Sequence, residues 1–149
     1  MPRWFHSKAL QCILYCVGLL VPTGVQSQDH WYLGIGGFSK DGVNDLITDA
    51  TGNVYVTGEF RHRLPMGEDL EYISNGGTDI YVAKLNPLGE LIWCRTAGGP
   101  GGDKGLGLDV DEQGSLVVVG SFATTADLFG VTESSSGGID GFIAKLNAS

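Results

Sequence analysis

The sequence predicts an all-β fold made of two copies of one four-stranded antiparallel unit. Three observations carry this. Residues 76–86, GGTDIYVAKLN, return at 137–147 as GGIDGFIAKLN, with seven of eleven positions identical at a shift of 61. Residues 31–60 align with 93–122 at a shift of 62, ten of thirty positions being identical, among them Trp31/Trp93, Asp41/Asp103, Gly58/Gly120 and Phe60/Phe122. No stretch after residue 28 has a helical period, and the chain holds 24 glycines, as short strands joined by tight turns require. Strand sequence returning at a long fixed interval marks a repeat architecture. The change of shift from 62 to 61 places a net deletion in the loop after Phe122, where loops tolerate one.

The first residues read differently. Arg3 and Lys8 precede an apolar run over 9–21 broken only by Gln11, then Pro22-Thr23-Gly24 and the small residues up to Ser27. A basic start, an apolar run and a small-residue cut site predict a secretory signal peptide over 1–27. The run is too short to span a membrane, which takes roughly 20 apolar residues. Export leaves a repeat region over 28–149, placed in the periplasm, at the cell surface or outside the cell. Cys12 and Cys16 leave with the leader, so Cys94 has no partner for an internal disulfide.

The formal net charge is −8, and losing Arg3 and Lys8 makes the remainder more acidic still. Such a surface argues against nucleic acid, whose phosphates are bound by Lys and Arg. Protein and carbohydrate remain as partner classes, with no membrane span after signal cleavage.

In the first copy residues 44–49 read as a short strand, and Asp49-Ala50-Thr51-Gly52 as a turn in which Asp bonds the backbone ahead and Gly takes positive φ. Residues 53–60 alternate as a second strand, 61–75 form a long polar connection, and 79–85 form a third strand. Asn86-Pro87-Leu88-Gly89 is a hairpin turn leading to a fourth strand over 90–97. Four antiparallel strands per repeat describe a β-propeller blade. Blade inner strands are covered on both faces, which accounts for the run Leu116–Val119 being apolar throughout.

The succession GG…D, D-x-x-G-[NS], VYVTG-x-F, GG-x-D-x-[YF]-[VI]-AKLN, N-x-x-G and L-x-W over 31–147 resembles the bacterial seven-bladed β-propeller (SBBP) repeat family. The resemblance implies propeller blades in an exported protein and no general catalytic signature. The phase is permuted: His30–Gly37 aligns with Ile92–Gly99, a fourth strand that opens the chain. Blade 1 then covers about 41–98 and blade 2 about 103–147, with 31–37 as a displaced fourth strand. Two blades cannot close a ring of about 4–8. The ring is therefore incomplete and completed by further blades in cis, or it is shared within a homo-oligomer.

Candidate sites are few. Asp41, Asp45, Asp103 and Asp109 fall near the fourth-to-first-strand connections, where acids at a channel mouth would bind a cation or a sugar; turn-forming Asp is the plainer reading. Asp109–Gly114 partly matches a calcium loop, but Gln113 replaces a ligand and Gly120 stands where the bidentate Glu belongs, so a hairpin turn is expected and no metal. Arg61-His62-Arg63, present in one copy only, would meet an anionic glycan or partner, or lie as a solvated loop. Asp79 and Asp140 precede the third strands as turn caps, with Lys84 and Lys145 five residues on; these, with Trp31, Trp93, Gly58 and Gly120, are structural repeat positions. The run over 98–102 leads into a strand rather than a helix, so it holds no phosphate, and no cofactor is expected. These features predict a non-catalytic scaffold or binding module. The alternatives are a propeller hydrolase or lyase with acids at the channel mouth, and a lectin-like oligomer of two-blade protomers.

Overall fold

The computed structural model describes residues 30–37, 39–66 and 70–147; the expected leader lies outside the described residues. Seven strands follow in order: β1 (Gly42–Thr48), β2 (Val54–Pro65), β3 (Glu71–Leu85), β4 (Leu91–Ala97), β5 (Lys104–Val110), β6 (Ser115–Asp127) and β7 (Thr132–Asn147). They form two antiparallel meanders, a four-stranded sheet β1-β2-β3-β4 and a three-stranded sheet β5-β6-β7, and no helix occurs among the described residues. Neither sheet closes on itself.

The two sheets use matching hydrogen bonds. Asp49 and Asp111 each accept backbone N–H groups two and four residues ahead, fixing the β1–β2 and β5–β6 turns. The pairing of β1 with β2 slips between Val43 and Asp45, and that of β5 with β6 slips between Gly105 and Gly107. At each slip a carbonyl passes where a side chain would stand: a Cβ on Gly58 would lie 1.8 Å from Gly42 O, and one on Gly120 would lie 2.1 Å from Lys104 O. Only glycine fits there. Opposite these glycines sit Tyr81 and Phe142, whose rings lie over the bare backbone.

The polar connection expected over 61–75 is a continuation of the hairpin. β2 runs on to Pro65 and β3 begins at Glu71, with a register shift between Arg61 and Arg63 matched by one between Ala123 and Thr125 in the second sheet. The residues at the two shifts, His62 and Thr124, have φ of 67° and 62°, and their N–H groups donate to Ser74 and Ser135 hydroxyls at 2.9 Å. The deletion sits at the hairpin tip: Met66 N–H donates to Leu70 O, whereas Leu128 N–H reaches Val131 O across Phe129-Gly130.

Residues 30–37, expected as a strand, pair with no strand among the described residues. Trp31 packs its ring against Gly89, and Ile35 packs against the first sheet on the face bearing Val56, Phe60 and Tyr81. The opposite face of that sheet carries Tyr55, Ile80 and Val82 and meets Leu116, Val118 and Phe122 of the second sheet, making the core between them. In the run Leu116–Val119 one face is sealed in this core, while Val119 on the other is exposed.

Candidate functional site

The junction between the sheets gathers the chemistry-bearing residues. Asp103 is fully buried; its Oδ2 accepts Gly99 N–H at 2.7 Å and its Oδ1 accepts Ala123 N–H at 3.0 Å. Asp41 repeats this, accepting Gly37 N–H at 2.7 Å and Arg61 N–H at 3.0 Å. Each carboxylate staples the incoming chain to the interior of β2 or β6, beside its register shift. Two backbone N–H groups occupy one site on each carboxylate oxygen and fix the orientation of the group.

Asp45 reaches across the junction, its Oδ2 accepting Leu108 N–H at 2.7 Å. Beside it Asn44 Nδ2 donates to Glu59 Oε2 and to Gly105 O, both at 2.7 Å. Glu59 is buried between Lys40 and Lys104 at 3.4 and 3.9 Å. Thr57, fully buried, donates to Tyr81 O at 2.8 Å. The first sheet therefore offers its neighbour a polar, hydrogen-bonded surface around an apolar centre, and buried polar groups so paired avoid the cost of desolvation.

Asp79 is the exception. Its Oδ2 accepts Asn75 N–H at 2.9 Å, as Asp140 accepts Ser136 N–H at 2.8 Å; both bonds lie inside β3 and β7, at register irregularities within longer strands rather than at the turns expected before them. Yet Asp79 is 1% exposed and its Oδ1 has no partner. A Cβ on Gly98 would lie 2.7 Å from Asp79 Cγ and 2.9 Å from Asp103 Oδ2, so two buried carboxyl groups flank one backbone position. Burial pushes the Asp79 carboxyl up to about 6; the Asn75 N–H opposes this and nearby Asp103 adds to it.

The remaining candidates lie apart from this junction. Asp109 is exposed, its Oδ1 accepting only the next residue's N–H. Asp111, in the partial calcium loop, is committed to Gln113, Ser115 and, at 2.6 Å, Lys145, and the Lys145 bond leads in holding its carboxyl below the usual range. At Asp49 burial disfavours the charge, but bonds from Asn53 and Thr51 outweigh it and depress the carboxyl further. Among the described residues no three His, Cys, Asp or Glu side chains are placed to share a metal ion.

In the basic cluster, Arg61 uses its backbone N–H on Asp41, His62 Nδ1 lies 2.8 Å from Ser39 Oγ, and Arg63 Nη1 binds both Glu71 oxygens at 3.1 and 2.9 Å. The three side chains are exposed. Lys84 lies over the Tyr55 ring at 5.2 Å, and Trp93 packs edge-on to that ring at 6.2 Å, with Arg95 over Trp93 at 4.8 Å. Burial pushes the Cys94 thiol up to about 12, against the opposing effect of Tyr72, which leaves an unreactive thiol.

Sequence reasoning did not find the buried Asp79–Asp103 approach, which joins residues of two different repeats across Gly98. It also did not find the groove along the outer edge of β7, of about 650 Å³, whose lining includes Phe122, Leu128, Phe129, Phe142 and Leu146. Phe129 has φ of 59° and Gly130 of 97°, the conformation of a two-residue hairpin turn that favours Asn-Gly. A bulky residue held there, its ring 6.5 Å from Phe142, is a strained choice at the mouth of an apolar groove. No family model matches this chain, and no curated protein matches it.

Proposed function

We propose that this chain is an exported β-propeller repeat protein of the SBBP type, working as a non-catalytic scaffold or binding module for protein or carbohydrate outside the cytoplasm. One observation carries the reading. The acids that composition and spacing single out are used in the same way in both repeats: Asp41 and Asp103 each bind the N–H groups four residues back and 20 residues ahead. Groups that recur once per unit with equal bonds serve the unit, whereas a catalytic site needs groups that converge once. The two meanders and the repeat motifs support blades, and the basic, apolar start supports export.

The test is thermal unfolding of the full chain with millimolar calcium and with a panel of sugars. A ligand bound only by the folded state at a hundredfold its Kd stabilises by about 2.7 kcal/mol, a shift of several degrees. The scaffold reading expects no shift that depends on the acids. A calcium-dependent rise that disappears in Asp45→Asn or Asp109→Asn overturns it in favour of an acid-lined metal or catalytic site.

A further inference from the structure

We propose that residues 98–103, which carry the chain from the first sheet to the second, form a latch that is closed by a proton held on Asp79 against Asp103 and freed when that proton leaves. The inference stands apart from the scaffold reading.

The connection reads GGPGGD, so it has almost no apolar side chain to bury. It threads between the sheets by backbone contact. A Cβ on Gly77 would lie 2.0 Å from Gly101 O, and one on Gly101 would lie 2.3 Å from Ala123 O. Hydrogen bonds therefore hold it in place. Gly98 N–H donates to Asp127 O at 2.9 Å and Asp127 N–H returns to Gly98 O at 3.0 Å. Asp103 N–H donates to Thr78 O at 2.7 Å, and the Asp103 carboxylate accepts Gly99 and Ala123. A segment with few apolar contacts opens locally while the ladders beside it stay paired.

One group works against closure. Asp79 Oδ1 is sealed from solvent and has no partner, in a residue that is 1% exposed. It faces Asp103. The point where a Cβ on Gly98 would stand lies 2.9 Å from Asp79 Oδ1 and 2.9 Å from Asp103 Oδ2, so the two oxygens are less than twice that distance apart. Three of the four carboxylate oxygens already hold N–H groups, and the fourth lacks a donor. A divalent cation such as calcium takes about 6–8 oxygen ligands. A proton on Asp79 Oδ1 meets the need alone, because the neutral acid removes the buried charge and its O–H faces Asp103.

The elements packed around Asp79 bring no cation to that oxygen. From β2, Glu59 is bound by Asn44 and flanked by Lys40 and Lys104, and Arg61 is exposed. Arg95 of β4 lies over the Trp93 ring, Lys104 of β5 reaches Glu59, and Asp127 of β6 is exposed and accepts Gly130 N–H. Burial pushes the Asp79 carboxyl up to about 6, the Asn75 N–H opposes this, and Asp103 is the charge that adds to it. When the connection lifts, Asp79 regains water and titrates as an ordinary aspartate near 3.8. The closed latch thus binds the proton more tightly than the open one. Closure is strongest in acid and weakens as pH rises from about 4 to about 6, the proton passing to water.

The experiment is hydrogen exchange of the full chain from about pH 4 to pH 8, read as protection factors so that base catalysis of exchange divides out. The reporters are the Gly98, Asp103 and Asp127 amides, whose bonds cross the junction. Their protection is expected to fall by roughly tenfold per pH unit up to about pH 6 and then to level off. At every pH it is expected to stay below that of the β2–β3 ladder. Asp79→Asn keeps the shape of the side chain and cannot ionise, so it is expected to hold the acid-form protection throughout. A carboxyl carbon-13 titration of the wild type needs no variant and is expected to place the Asp79 midpoint near 6. Reporter protection that is flat with pH, or equal to that of the ladder, overturns the proposal. So does an Asp79 midpoint near 4, or a pH dependence that persists in Asp79→Asn. Those results leave the scaffold reading intact, which fails instead on an acid-dependent ligand shift.

Discussion

Val82 and Ile143 hold the same place in the two repeats, and their surroundings differ almost completely. Val82 is sealed between two sheets, within reach of a polar rim that includes Thr57, Asn44 and Glu59. Ile143 stands in solvent, and around it the polar rim has been replaced by Leu106, Val119 and Ile139. The two sheets share their strands and turns, while the chemistry of each face differs with whether another sheet covers it. Turn chemistry is common to both sheets; face chemistry is not.

Substitutions at equivalent positions put this contrast at risk. The largest effect is expected from a charge. Val82→Asp buries an unpaired carboxylate and is expected to cost about 3–5 kcal/mol, read by urea unfolding at neutral pH. Ile143→Asp is expected to change the stability of a single copy by about 0.5 kcal/mol or less. Equal costs at the two positions would break the comparison.

Next come the glycines. Gly58→Ala drives a methyl group into Gly42 O and toward Tyr81, in a sheet paired through β4, and is expected to cost about 3 kcal/mol or more. Gly120→Ala meets Lys104 O and the Phe142 ring, but Phe142 lies on the open-edged strand and can shift. A smaller loss is expected there, and a larger one would show that the second sheet is the stiffer.

Asp79 separates the junctions by pH. Its folded-state carboxyl titrates at about 6, above the 3.8 of an ordinary aspartate. Between those values the folded state keeps a proton that the unfolded state has lost, so this group's contribution to stability falls as pH rises from about 4 to about 6. Asp79→Asn is expected to leave stability unchanged below that window and to raise it by about 1–3 kcal/mol at pH 7. Unfolding curves at three pH values decide, and an Asp79→Asn gain that is the same at every pH contradicts the burial argument.

The smallest effect concerns the strained bulges. Thr124→Gly relieves a β-branched residue at positive φ and is expected to stabilise by about 1 kcal/mol. His62→Gly is expected to gain less, since it also removes the contact with Ser39. A loss in both would mean that the side chains hold the bulges.

What was legible in the sequence follows the range of the interactions. The turns at Asp49–Gly52 and Asn86–Gly89 could be read because Asp, Asn and Gly act within four residues. The all-β class followed from the same signals. The hairpin beyond Phe60 could not be read, because its residues are mainly polar and its bulge residue is His62 or Thr124 rather than Gly. The staples were found as acids but not as staples, since Asp41 and Asp103 reach N–H groups 20 residues on. Asp79 lost its solvent only because Asp103 belongs to the next sheet, and no pattern within one repeat reports that.

The most direct test of the central contrast is hydrogen exchange compared between β3 and β7. The amides of β3 that point toward β4 are protected by that ladder. The account predicts that the amides of β7 pointing away from β6 exchange much faster than their β3 equivalents. Equal protection of the two sets would contradict it.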